Sequence, residues 1–303
     1  MRPACRVVLG AGMALLVLVP GAAAQTLRYT GSASYSGGSY IFDRRSDTYA
    51  LGTGATLTFG AVTFSANLPL LVYNGGLVTT VTEGVPLPTG GTQSGAVRDR
   101  QPGSTIGTKG KGKGSGMGPG ATMTMDEPLA DTTLEFDESF AASFADPVVG
   151  GSAEVHSGTG RIRSVTITAS AKIPVADVST GISSGQWDVG VGASVIVSAG
   201  SVLLLADAAY WWIGDMPDLP LDDGVSYAFG ASLPVRSGAY LITAMVSGLS
   251  QTIDTMDPPV SAAGSVSRLL GSRTFGTVSL GLGLTEAAPD FFASLGWSVR
   301  VGG

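Results

Sequence analysis

Along much of this chain hydrophobic and small or polar residues alternate one by one. The segment FFASLGWSVRV, residues 291–301, sets Phe291, Ala293, Leu295, Trp297, Val299 and Val301 against Phe292, Ser294, Gly296, Ser298 and Arg300. A period of two is that of a β-strand with one apolar face. The same pattern runs through 49–59, 62–72, 164–173, 186–198, 202–212 and 224–233, and more weakly through 26–36, 239–250, 260–270 and 273–285. It predicts eleven strands in an all-β fold.

Alternation alone does not say what the apolar face meets. It covers the core of a secreted β-sandwich, or it faces lipid from the wall of a barrel. A sandwich exposes Lys, Glu and long polar chains on its solvent face; here the second face is largely Gly, Ser, Thr and Ala. Aromatic residues gather near strand ends: Tyr49 with Phe59, Trp187, Tyr210 with Trp211 and Trp212, Tyr240, and Phe291 with Phe292. Those are the positions of interfacial girdles. The expectation is an antiparallel transmembrane β-barrel of about 12 strands, with the soluble sandwich binding protein as the alternative.

The links sharpen that expectation. Tight ones at 59–60, 199–200, 234–237 and 271–272 alternate with longer ones at 37–46, 174–185, 213–223 and 251–259, as short periplasmic turns alternate with outer loops. A closed barrel with both ends in the periplasm needs an even strand count, so an inward strand is expected between 74 and 160. TLEFDESFAASF, residues 133–144, is the candidate. Phe136, Phe140 and Phe144 are also spaced by four, so a short helix is the other reading.

The start of the chain gives the compartment. Arg2 and Arg6 precede the apolar run VVLGAGMALLVLV, then Pro20, Gly21 and a run of three alanines ending at Ala24. This predicts a signal peptide over 1–24 and a barrel over 25–303, localised to the outer membrane. No later window holds the roughly 18 consecutive apolar residues of a membrane helix. Cys5, the one cysteine, falls in the signal, which excludes disulfide and thiol chemistry from the exported part. Charged residues make up only 13% of the chain, about half the usual share. Loss of Arg2 and Arg6 takes the formal net charge from −6 to −8, which argues against nucleic acid as a partner.

KIPVAD (172–177) followed by GISSGQWDVG (181–190) resembles the Lys-aliphatic-Pro-Thr-Gly-Asp and Gly-x-Gly-x-Gly-x-x-Asp-x-Gly segments of a bacterial outer-membrane family. That family is transporter-like and related to proteins of the meta-cleavage pathway of phenol degradation. Residues 46–70 and 289–301 are similar to its first hairpin and closing strand. Here Val175-Ala176 replaces the usual Thr-Gly, and Val301-Gly302-Gly303 replaces a terminal aromatic. The resemblance implies an outer-membrane channel for small, aromatic or apolar compounds, and carries no catalytic residue.

The chemical inventory is short. His156 is the only histidine, so zinc sites built on two or three imidazoles are excluded. Beside Ser157 it is the one possible base for a lipid hydrolase, and a solvated loop is the plainer reading. The Gly-Lys run over 107–120 lacks Walker spacing and reads as linker, within a long Gly-rich outer loop around 75–132. Asp215, Asp218, Asp222 and Asp223 near Trp211 read as a hydrated loop, with calcium or lipopolysaccharide bridging as the sharper option. No metal, cofactor or catalytic residue is expected. Alternation places Thr166, Thr168, Ser170, Lys172, Asp188, Asp207 and Arg300 inward as pore-lining candidates, the last four as a mixed-charge constriction. The functional expectation is passive or facilitated permeation, not catalysis, with a purely structural barrel or a lipid-modifying enzyme as alternatives. The expected partners are outer-membrane lipid and lipopolysaccharide, the barrel-assembly machinery and a small-molecule solute.

Overall fold

The computed structural model describes residues 25–40, 45–74, 80–82, 85–87, 140–180, 182–216, 219–254 and 256–301. The 1–24 signal and most of the 75–132 loop lie outside the described residues. The chain forms strands β1 (Gln25–Gly38), β2 (Ser46–Phe59), β3 (Val62–Asn74), β4 (Thr80–Thr82), β5 (Val85–Leu87), β6 (Phe140–Phe144), β7 (Val148–Ser157) and β8 (Ile162–Lys172). They continue with β9 (Asp188–Ala199), β10 (Val202–Trp212), β11 (Gly224–Val235), β12 (Tyr240–Leu249), β13 (Val260–Leu269), β14 (Thr274–Gly283) and β15 (Phe291–Val301).

Each strand from β7 to β15 pairs antiparallel with its sequence neighbours, β15 pairs with β1, β1 with β2, and β2 with β3. β3 closes the ring by pairing with β7 along its first half and with β6 along its second. β6 and β7 therefore run in line as one wall strand, and the wall is a closed twelve-stranded antiparallel barrel of the outer-membrane type. Closure of a single sheet sets aside the two-sheet sandwich. β4 and β5 form a separate ribbon.

The exterior shows why the alternation exists. Leu233, Ile242, Val266, Val278 and Leu295 are successive cross-strand partners on five strands, and all five are exposed. Phe229, two pleat repeats above Leu233 on the same face, is 58% exposed. Water would penalise such a band by about 25 cal/mol per Å2 of apolar area; lipid removes that penalty, so this surface is the membrane belt. Aromatic pairs sit at its outer rim: Tyr35 with Tyr49 at 5.2 Å, Tyr49 with Phe140 at 6.2 Å, and Tyr210 with Trp212 at 5.0 Å. The opposite face carries cross-strand hydroxyl pairs, Ser232 with Thr243 at 2.7 Å and Ser267 with Thr277 at 2.9 Å.

Links at 60–61, 158–161, 200–201, 236–239 and 270–273 are short; those at 39–45, 75–139, 173–187, 213–223, 250–259 and 284–290 are longer. The expected hidden strand is there but displaced. Of the 133–144 candidate, 140–144 is strand β6, not helix, and 133–139 lies outside the described residues. Most of the twelfth wall strand is instead VVGGSAEVHS, β7. His156 consequently lies on a strand and not in a loop.

Candidate functional site

The charged candidates on the inner face separate by height. Lys172 ends β8 and Asp188 opens β9, and they are direct cross-strand partners at the outer end. Asp207 sits midway along β10 opposite Ser194, six residues down β9 from Asp188 and so about 20 Å below it. Arg300 lies near the foot of β15 opposite Arg28. A single constriction made by all four does not form. Thr166, Thr168 and Ser170 alternate with exposed Ile167 on β8 and so share the inward face with Lys172.

Lys172 and Asp188 do meet, but enclosed and not along a passage: they are 4% and 1% exposed. Lys172 Nζ is 2.7 Å from Asp188 Oδ2 and 3.8 Å from Asp146 Oδ2. The closer contact is an ion pair without hydrogen-bond alignment; Nζ donates instead to Ser184 Oγ at 3.2 Å. Buried charge persists only when its remaining valences are met, and the loop does this. Asp146 Oδ1 accepts from the Val175 and Ala176 amides at 2.9 Å each, and its Oδ2 from Ser183 Oγ at 2.5 Å. Asp188 Oδ1 accepts from the Gly214 amide at 2.9 Å. Beside the cluster, the Ser179 amide donates to Asp177 Oδ1 at 2.9 Å and holds that carboxyl below the usual carboxylate range. The KIPVAD and GISSGQWDVG segments are thus bound to each other and to the β6–β7 corner.

Against this cluster packs an apolar cap that alternation did not reveal. The inward-turned strand residues Ala209, Trp211 and Leu249 join Ile213, Met216, Leu219 and Leu221 from the 213–223 link, Ile253 and Met256 from the 250–259 link, and Ala287 from the last link. Trp211 anchors it. Its ring lies over Gly190, where a Cβ would come within 2.7 Å, and its Nε1–H donates to Ser226 Oγ at 3.1 Å. A second cluster of Leu71, Tyr73, Ala145 and Ile182 fills the β3 side. Lower down, the inward Met245 is 38% exposed, so the interior there is not filled.

Asp223 accepts from the Ile213 amide and the Tyr210 hydroxyl, and Asp215 from the Leu221 amide. These carboxylates fold the cap link; Asp218 lies outside the described residues. Among the described residues no group of three His, Cys, Asp or Glu side chains is arranged to hold a metal. His156, opposite Val165 where the β7–β8 register slips, is exposed at the short-turn end.

No protein-family model and no curated protein matches the sequence. Among solved structures the chain is similar to an outer membrane channel from Pseudomonas putida F1, with a TM-score of 0.58 and 9% identity over 94% of this chain and 98% of that one. The CymD monoaromatic hydrocarbon channel gives a TM-score of 0.44 at 9% identity over 98% of this chain and 93% of that one. Outer membrane phospholipase A from Escherichia coli gives 0.37 at 11% identity over 92% and 89%. At 9% identity the first likeness establishes a shared barrel fold.

Proposed function

We propose that this chain is an outer-membrane channel for small apolar or aromatic compounds, exported by residues 1–24 and acting by permeation. The observation that carries the reading is the apolar cap, in which Met216, Leu219, Leu221, Ile253 and Met256 from two outer links are gathered over the inward faces of Trp211 and Leu249. Links that only joined strands in water would leave such residues dispersed; gathered at the outer end, they offer a small hydrophobic solute a dry first station. Below the cap the wall mixes hydroxyls such as Ser232 and Thr243 with single apolar side chains such as Met245, so no apolar cluster of comparable size holds the solute and it passes down. The resemblance of residues 172–190 to the phenol-pathway family agrees with aromatic cargo, and the barrel shared with the P. putida channel agrees with permeation.

The test is flux into proteoliposomes of a monoaromatic solute and of a polar solute of similar size. Replacing Leu219 and Ile253 by Ser should slow the aromatic solute several-fold and leave the polar one little changed. Equal flux of both solutes through both proteins would overturn the apolar reading, and no flux of either would favour a structural barrel.

A further inference from the structure

At the short-turn end of the barrel, on the lipid-facing surface, two arginines address one tyrosine. Arg268 Cζ is 5.1 Å and Arg236 Cζ 5.7 Å from the centroid of the Tyr240 ring. Tyr240 pairs across the sheet with Arg268 on β13 and Val235 on β11. Arg236 heads the β11–β12 turn, whose backbone is left-handed at Arg236, Ser237 and Gly238 (φ 50, 56 and 85°). Among the described residues neither guanidinium takes part in an ion pair. Two like charges held within 6 Å of one ring centroid, with no ion pair to either among the described residues, leave a concentrated positive field. The next lipid-facing residues along β12 and β13 are Ile242 and Val266, partners across the sheet and both exposed.

We propose that Arg236, Tyr240 and Arg268 form a binding site for an anionic phospholipid of the periplasmic leaflet. The phosphodiester is held by the two guanidiniums, whose planar forks match phosphate oxygens, and the acyl chains lie along Ile242 and Val266. Charge complementarity selects this occupant: a cationic clamp at headgroup depth directly continuous with an apolar track fits a molecule that is anionic at one end and aliphatic at the other. The site rests on the membrane reading of the barrel, not on what the channel conducts.

Native mass spectrometry of the detergent-folded barrel, titrated with phosphatidylglycerol or phosphatidylcholine, tests it. Phosphatidylglycerol should bind more tightly than phosphatidylcholine, and its affinity should fall about fivefold in Arg236→Gln or Arg268→Gln and about twenty-five-fold in the double variant. Both arginines are exposed, and an unchanged urea midpoint verifies that the barrel is intact. Tyr240→Leu, which keeps both charges but frees them, should give an intermediate loss. Equal binding by wild type and double variant would overturn the site. So would displacement of the lipid by millimolar inorganic phosphate, which marks a free-anion site. Failure of the wild-type chain to insert into phosphatidylglycerol–phosphatidylcholine vesicles would overturn the membrane reading together with the site, a result distinct from insertion without selective binding.

Discussion

The two ends of this barrel treat charge in opposite ways. At the outer end Lys172 lies within 4 Å of both Asp146 and Asp188, all three are buried, and the 173–187 and 213–223 links supply hydrogen bonds to them. At the short-turn end Arg300, Arg236 and Arg268 are exposed and Arg28 half-buried, with no ion pair to any of them among the described residues. The difference follows link length. A four-residue turn cannot fold back to enclose a side chain, whereas the fifteen-residue stretch 173–187 brings Ser183, Ser184 and the Val175 and Ala176 amides onto the charges. Enclosure makes charge structural at one end; exposure leaves it free to meet lipid and solvent at the other.

The comparison breaks most severely at Lys172. Lys172→Met leaves two carboxylates without their cation and should cost about 3–5 kcal/mol, read as a lower urea midpoint together with faster proteolysis within 173–187. Arg300→Met, the same change at the other end, should leave the midpoint nearly unmoved. A loss of similar size from both would mean that the two ends do not differ in the way argued.

Next in size is the belt between the ends. Phe229→Arg should cost about 2–4 kcal/mol if Phe229 lies near the bilayer midplane, measured by equilibrium folding into vesicles, while Ser226→Arg tests the inward face of the same strand through conductance. Trp211→Phe keeps the ring over Gly190 but removes the Nε1–H donated to Ser226 Oγ, for about 1 kcal/mol, and should loosen the cap without altering insertion efficiency. The smallest effect is expected from His156→Ala, exposed at the short-turn end: aromatic flux should stay within error of wild type, and loss of a phospholipid-hydrolysing activity on this change would instead support the enzyme reading.

What could be read in advance follows the same division. The wall was legible because Leu233 and Leu295 stand in clear two-residue periods and Ile242, Val266 and Val278 in weaker ones, and lipid acts on every one of them alike. β7 was not, for a local reason. Leu70 pairs with Phe144 and Asn67 with Val148, so three steps on β3 face four on the opposite strand. The extra residue moves the lipid face from even positions (Phe140, Phe144) to odd ones (Val149, Val155), and Gly150-Gly151 adds no side chain to mark the change. Alternation summed across 140–157 therefore cancels. The cap was illegible for a different reason: Met216, Leu219, Ile253 and Met256 lie in irregular links with no period, and only the folded chain brings them together. Lys172 and Asp188 fall between these cases. Their inward face was readable; that residues 173–187 close over them was not.

The Gly214 amide that reaches Asp188 Oδ1 has a consequence for time as well as for space. It fastens the link bearing Ile213 and Met216 to the carboxylate that also pairs with Lys172, whose Nζ in turn donates to Ser184 of the 173–187 loop, so movement of either segment disturbs the anchor of the other. Displacement of the two links is therefore expected to be coupled. A recording of current through a single barrel should accordingly step between two levels with exponentially distributed dwell times, instead of drifting through a continuum of partial conductances.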